Sequence, residues 1–106
     1  PLAVMRLCAD AIEQAGVVAA LGNRNASSDV QSGLELLTAG LRAAMSNVEI
    51  NLSSLKDAER SAAIRGDASR LAAKADEESA AARRQLVNSI GRMASRCHPS
   101  AVRKDW

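Results

Sequence analysis

The first polar positions of the chain are few and lie on one narrow stripe, made up of Arg6, Asp10, Glu13 and Gln14. Their spacing predicts a helix from about Leu2 to Leu21. Pro1 suits the start of a helix, and Gly22 suits the position that ends one. Because this helix is apolar around most of its circumference, we expect it to need burial on more sides than two neighbouring helices provide.

The next polar positions predict a turn and then a longer helix that ends near Leu52. Residues 22–27 (GNRNAS) carry turn signals. Ser28 and Gln31 have the spacing of a capping box, and Asp29 then lies near the positive end of the helix dipole. One face of this helix is small, which lets another helix backbone approach closely. It consists of Gly33, Gly40, Ala44, Asn47 and Asn51.

A third helix is predicted from Leu55 to about Met93, with Ser53 or Ser54 as its cap. Its apolar seam has nearly heptad spacing and is mostly alanine. The seam consists of Ile64, Ala68, Leu71, Ala75, Ala82, Leu86 and Ile90. We therefore expect an all-α fold: a three-helix segment, with long second and third helices, that forms an oligomeric helical bundle.

Composition supports this fold class and adds a reason for oligomerisation. Alanine is frequent, and Phe and Tyr are absent. Alanine forms helices readily but buries little apolar area, so the core should be thin and a partner should help to complete it. The net charge of +2 divides into −3 over residues 1–82 and +5 over residues 83–106. We expect one domain over residues 1–95 and a basic, disordered tail over residues 96–106.

The basic end does not by itself indicate a nucleic-acid partner, because no aromatic residues interleave with it to stack on bases. A nucleic-acid accessory role is the weakest of the functions considered. Cys8, Cys97 and the single histidine, His98, are too few for a structural zinc site, so no metal is expected. Without a signal peptide or a long apolar run, we expect a cytoplasmic protein that does not enter the membrane.

Spacing alone indicates one local candidate site, since no catalytic triad or Gly-rich phosphate loop is present. The segment before the second helix would place polar groups at a helix N-terminus, which favours anions. These groups are Asn23, Asn25, Ser28 and Asp29. By pattern alone, a well-capped helix after a turn is the favoured explanation of these residues. The neighbouring carboxylates Asp76, Glu77 and Glu78 indicate a solvated helix face.

Two segments in register resemble a known enzyme family. Residues 22–30 (GNRNASSDV) are similar to the GNxNxxSD segment of the formiminotetrahydrofolate cyclodeaminase / methenyltetrahydrofolate cyclohydrolase family. Residues 41–52 (LRAAMSNVEINL) are similar to its LRGAxxNVxINL helix. The spacing between the two segments also fits. The resemblance covers residues 1–90 and corresponds to the C-terminal half of the family's domain.

The resemblance implies an all-α, homodimeric enzyme of folate one-carbon metabolism. Such enzymes hydrolyse methenyl-tetrahydrofolate or deaminate formimino-tetrahydrofolate, so a tetrahydrofolate derivative is the implied substrate. It implies Asp29 as the acid/base residue, Arg42 as a partner of a folate carboxylate, and the amides of Asn47 and Asn51 as partners of the pteridine edge. The other implied substrate-binding positions are Asn23, Asn25 and Ser28.

The sequence also departs from the family. Family members have an N-terminal half, with a Gly-rich PxPGGGS-type segment and further helices that wall the folate site, and nothing in this sequence corresponds to it. We therefore expect the helical fold to be kept, while catalysis would require a second copy, in a dimer or tetramer, or a companion chain that supplies the missing half. The alternative is a non-catalytic, self-associating helical interaction module.

Overall fold

The structure, a computed structural model, describes residues 1–22 and 24–96, with all side chains there except those of residues 24, 90 and 92–96. Within these ranges the chain forms three long helices and no strand, which confirms the all-α prediction. The helices are α1 (Leu2–Leu21), α2 (Ser27–Ser53) and α3 (Ala58–Arg96), with a 3₁₀ turn (Arg24–Ala26) before α2. The predicted tail beyond Arg96 lies outside the described residues.

The first helix begins and ends where the sequence predicts. Its first turn is closed by the backbone N–H of Met5, which donates to the carbonyl of Pro1 at 3.0 Å. Gly22 ends the helix with extended backbone (φ −78°, ψ 175°) rather than the left-handed conformation of many such glycines. Its N–H donates to the Val18 carbonyl at 2.6 Å, and a Cβ built at this position would clash with the Val18 carbonyl oxygen. Close approach, not positive φ, therefore requires glycine here.

The start of α2 differs from the predicted capping box. The 3₁₀ turn continues directly into the helix, so Ala26 occupies the N-cap position and Ser28 already lies inside the first turn. The carbonyl of Ser28 accepts a hydrogen bond from the Ser32 hydroxyl at 2.9 Å. Asp29 remains in the first turn as predicted, where a carboxylate complements the helix dipole.

The junction between α2 and α3 corrects a second predicted cap. The hydroxyls of Ser53 and Ser54 donate to the carbonyls of Ile50 and Asn51 at 2.6 and 3.0 Å, so both serines close the end of α2. Asp57 caps α3 instead, because its carboxylate accepts the backbone N–H of Arg60 at 3.0 Å.

Ion pairs between helices show their relative directions. From α1 they are Arg6–Asp67 and Glu13–Lys74, and from α2 they are Glu35–Arg83 and Arg42–Asp76. Residue numbers rise together between α1 and α3, so those two helices are parallel. Between α2 and α3, the residue numbers of one helix rise as those of the other fall, so these two helices are antiparallel. The unit is thus an up-down-up arrangement in which α3 contacts both other helices.

The core is built from large residues of α1 and α2 and from small residues of α3. Met5, Ile12, Leu34 and Leu41 are the largest fully buried side chains. The predicted α3 seam is confirmed where it is described, with Ile64 and Leu71 half-buried and the remaining members buried. These buried members are Ala68, Ala75, Ala82 and Leu86. Small residues at seven-residue intervals let α3 lie close to its neighbours.

No helix of the described residues covers the opposite side of the α1/α2 pair. Large apolar side chains are exposed there, including Leu7 (69%) on α1 and Leu36 (74%) on α2. We call this side the open face and define its residues as Val4, Leu7, Ala11, Gln14, Val18 and Leu21 on α1, with Asp29, Gly33, Leu36, Gly40, Ala43 and Asn47 on α2. α1 packs against α2 and α3 and still leaves Leu7 and Val18 exposed. Its need for more than two neighbouring helices stays a prediction.

Substitution by alanine should change the free energy of unfolding in opposite directions at Gly16, within α1, and at Gly22, at the end of α1. Gly22→Ala should lower the free energy of unfolding by about 1–3 kcal/mol because the new methyl group meets the Val18 carbonyl. Gly16→Ala should raise it by about 1 kcal/mol, since no atom lies within 4 Å of a Cβ at this mid-helix position. Urea denaturation of both variants measures the difference. Equal effects of the two substitutions would contradict the close approach at Gly22.

Candidate functional site

The N-terminal end of α2 brings three of the predicted site residues together. Asn25 lies in the 3₁₀ turn, and Ser28 and Asp29 lie in the first turn of the helix, all exposed. Backbone N–H groups of a first helical turn point outward and attract negative charge. Asn23, the fourth predicted member of this group, lies outside the described residues. This end of α2 therefore combines a carboxylate with neighbouring hydrogen-bonding side chains in water.

Arg42 lies in the middle of α2 and on a different side of it. Its side chain is 72% exposed, and its guanidinium lies 3.9 Å from a carboxylate oxygen of Asp76 on α3. Thirteen residues at 3.6 per turn place Arg42 about 140° around the helix from Asp29. The predicted carboxylate partner and the predicted acid/base residue thus face different directions within one chain.

The two predicted amides lie towards the C-terminal end of α2. Asn47 is exposed and, five turns after Asp29, shares the open face with it. Asn51 lines a cleft of about 230 Å³ at the end of the bundle. Its other lining residues are all apolar: Pro1, Leu2, Val48, Leu52, Leu55 and Ile64. Asn51 is the polar group of this cleft, which suits a flat apolar group that carries a hydrogen-bonding edge.

The predicted residues do not converge on one point in a single chain. With a rise of 1.5 Å per residue, Asp29 lies about 20 Å from Arg42 and about 27 Å from Asn47 along the helix. Asn51 is about 33 Å from Asp29 by the same measure. No substrate atom can contact both ends of α2 at once. A complete site would need groups from outside this one chain's α2.

Sequence reasoning missed the groove of ion pairs between α1 and α3. The Lys74 ammonium lies 3.3 Å from Glu13 and 3.7 Å from Glu78. Its pKa is raised above the ordinary lysine value, first by the hydrogen bond with Glu13 and then by the charges of Glu13 and Glu78. The stabilisation that the charged Lys74 gives to the fold is fully present below the ordinary lysine pKa. It is lost only as the pH rises through the raised pKa of Lys74. At neutral pH these pairs are therefore intact.

The predicted solvated face of α3 is confirmed for Asp76 and Glu77, which are exposed, but not for Glu78. Glu78 is half-buried beside Lys74, whereas Asp76 stays exposed although it pairs with Arg42. The four-residue interval between Lys74 and Glu78 was the available sequence signal for their pair. The other partners lie on distant helices, which spacing within α3 cannot reveal.

Two further properties bear on the kind of site this is. Among the described residues, no group of three or more His, Cys, Asp or Glu side chains is arranged to hold a metal ion. No described helix is long and apolar enough to cross a membrane. The exposed groups of α2 are amides, a hydroxyl, a carboxylate and a guanidinium, which recognise ligands by hydrogen bonds and charge.

Fold and site together define an all-α unit of three long helices, in which one helix carries exposed polar residues beside an uncovered apolar face. The model of the formiminotransferase-cyclodeaminase family matches residues 1–70 of the chain. The chain therefore belongs to this family, which confirms the resemblance found in the sequence. Comparisons with curated proteins and with solved structures find no match. All seven predicted site residues fall within the matched segment.

Arg42→Ala should leave the fold nearly unchanged. The Arg42–Asp76 pair is 72% and 61% exposed, and such surface pairs contribute little. We expect the free energy of unfolding to change by less than about 0.5 kcal/mol, measured by urea denaturation. A loss of several kcal/mol would show that Arg42 holds α2 and α3 together, and would remove it as a clean probe of ligand binding.

Proposed function

We propose that this chain is a cyclodeaminase/cyclohydrolase-like helical unit of folate one-carbon metabolism, whose ligand is a tetrahydrofolate derivative. The observation that carries the proposal is the family match over residues 1–70, which includes every predicted site residue. In intact relatives the chemistry would be hydrolytic opening of methenyl-tetrahydrofolate or deamination of formimino-tetrahydrofolate. The chain alone supplies part of such a site.

The proposed roles follow from the chemistry of each exposed group. Ring opening requires removal of a proton from the attacking water and delivery of a proton to the departing nitrogen, and the carboxylate of Asp29 serves as that acid/base group. Arg42 pairs with a carboxylate of the ligand through charge-assisted hydrogen bonds. Asn47 and Asn51 donate and accept hydrogen bonds at the edge of the pteridine.

Two of the remaining substrate-binding positions lie next to the carboxylate at the start of α2. Asn25 and Ser28 lie exposed next to Asp29, and Asn23 directly precedes the 3₁₀ turn in sequence. These side chains supply uncharged hydrogen-bonding partners for polar atoms near the reacting carbon. No metal is required in this proposal, because proton transfer and hydrogen bonding carry the reaction.

A second candidate function is a self-associating helical interaction module without catalysis. The open face favours it, because an apolar surface of this extent on a small helical unit marks an interaction site. Under this alternative, the exposed polar groups of α2 remain surface residues, and the chain assembles in the same way whether or not a folate is present.

Ligand binding separates the two functions. We expect a stable reduced folate to bind the chain saturably by calorimetry and to raise its thermal midpoint. Arg42→Ala should weaken this binding about tenfold through the lost charge-assisted hydrogen bonds. Arg84→Ala, which removes an exposed arginine of α3, is the matched control and should bind as the unmodified chain does.

The proposed function would be wrong if no saturable folate binding occurred at millimolar ligand, or if the Arg42 and Arg84 variants bound identically. A discrete oligomer that ignores folate would support the interaction module instead. Where ring opening is detectable, Asp29→Asn should reduce its rate by about 100-fold or more while folate still binds, as expected when a general acid/base is removed.

A further inference from the structure

Three residues of α2 line the edge at which this helix meets α3. Arg42, Met45 and Glu49 are separated by steps of three and four residues, so they lie within about 60° of each other around the helix. Arg42 and Glu49 are exposed, whereas Met45 is half-buried against the core. An apolar surface between two opposite charges therefore runs along this edge for about 10 Å.

The residues of α3 on the other side of this edge are small. The ion pairs between α2 and α3 set the antiparallel register of the two helices. By this register Met45 lies level with Ala73, and Glu49 lies level with Ser69. Ser69 and Ala73 are exposed, and Ala72 beside them is half-buried. Short side chains at these positions leave room above Met45 for a flat group. We call this surface the α2/α3 edge and define its residues as Arg42, Met45, Glu49, Ser69, Ala72 and Ala73.

The two charges of the α2/α3 edge are not fully matched within the chain. Arg42 lies 3.9 Å from a carboxylate oxygen of Asp76, a distance at which charges attract but no hydrogen bond forms. The N–H donors of its guanidinium can therefore still bind a carboxylate of a ligand. Among the described residues, the Glu49 side chain forms neither an ion pair nor a hydrogen bond. A ligand with one negative and one positive end would satisfy both groups at once.

The proposed ligand carries its charges in this pattern. In methenyl-tetrahydrofolate the one-carbon group shares a positive charge with the two nitrogens that it bridges, and the glutamate end carries carboxylates. A benzoyl ring and an amide separate the two ends, which gives a span of about 10 Å from standard bond lengths. This span matches the separation of Arg42 and Glu49 along α2. The ring between the two ends then lies over Met45, whose sulfur makes favourable contacts with aromatic rings.

We propose that the α2/α3 edge binds the cationic form of the ligand, with Arg42 on a glutamate carboxylate and Glu49 against the positively charged one-carbon group. Glu49 is thus a specificity-determining residue, which favours methenyl-tetrahydrofolate over folates whose one-carbon group is neutral. This assignment rests on the proposed function, because the ligand's carboxylate is held by Arg42 in both.

Glu49 is the carboxylate of α2 that can meet a ligand held by Arg42. Glu35 lies on the same side of the helix but already pairs with Arg83 at 3.0 Å. Asp29 lies about 140° around the helix from Arg42, so it cannot contact the same ligand within one chain. Glu49 therefore contributes binding and charge, which differs from the proton transfer proposed for Asp29.

A comparison of two ligands that differ in charge tests this role. Methenyl-tetrahydrofolate and 5-formyl-tetrahydrofolate have the same glutamate end, but the one-carbon group is positive in the first and neutral in the second. We expect Glu49→Gln to weaken binding of the methenyl ligand about fivefold, the loss expected for an exposed ion pair, and to leave binding of the formyl ligand unchanged. Calorimetry on the full chain measures both affinities, and the absorbance of the methenyl group shows that this ligand stays intact.

Two further variants serve as controls. Glu77→Gln removes an exposed carboxylate of α3 that is not part of the α2/α3 edge, so it should change neither affinity. Arg42→Ala should weaken binding of both ligands to the same degree, because both carry the glutamate carboxylates. Circular dichroism shows whether each variant stays helical.

The inference is overturned if Glu49→Gln weakens both ligands equally, weakens neither, or has no greater effect than Glu77→Gln. If both ligands bind and both depend on Arg42 but not on Glu49, the proposed function stands and this inference alone is wrong. If the unmodified chain binds neither ligand, the proposed function is wrong and this inference is wrong with it.

Discussion

The arrangement of the three helices depends on the packing of α3, which contacts α1 and α2 mainly through alanine side chains. Ala68, Ala75 and Ala82 are nearly fully buried and let the long helix lie close to both neighbours. Alanine buries little area, so this contact cannot also enclose the larger apolar residues on the far side of α1 and α2. The ion pairs along the edges of α3 align the helices but, being exposed, add little stability. The uncovered far side is the consequence.

Helix boundaries could be predicted from sequence where the local pattern determines them. They could not be predicted where a polar side chain can form its hydrogen bond with either of two helices. The limits of α1 follow from its apolar run between Pro1 and Gly22, and the structure agrees. Ser54 is a residue type that often caps helices and precedes α3, yet its hydroxyl and its backbone N–H both donate to the Asn51 carbonyl and so close α2. Asp57, three residues on, is then the cap of α3.

For the candidate site too, the sequence motifs predict which residues take part, whereas only the tertiary structure shows how far apart they lie. The segments around Asp29 and Asn47 could be recognised in the sequence by their resemblance to family motifs, and both lie within the matched residues 1–70. The distance between these segments along one helix could not be predicted, because a motif gives residue types but not their positions in space. The apolar stripes of α1 and α2 were visible in the sequence as excess hydrophobicity, but which side stays uncovered depends on where α3 packs.

The open face of α1 and α2 leads to the expectation that this chain associates with itself in solution. Sedimentation equilibrium of the unmodified chain over a wide concentration range tests it most directly. The account predicts a mass that approaches twice the 11.1 kDa of one chain and falls towards a single chain on dilution. A mass of one chain at every concentration, with the helices intact, would contradict it.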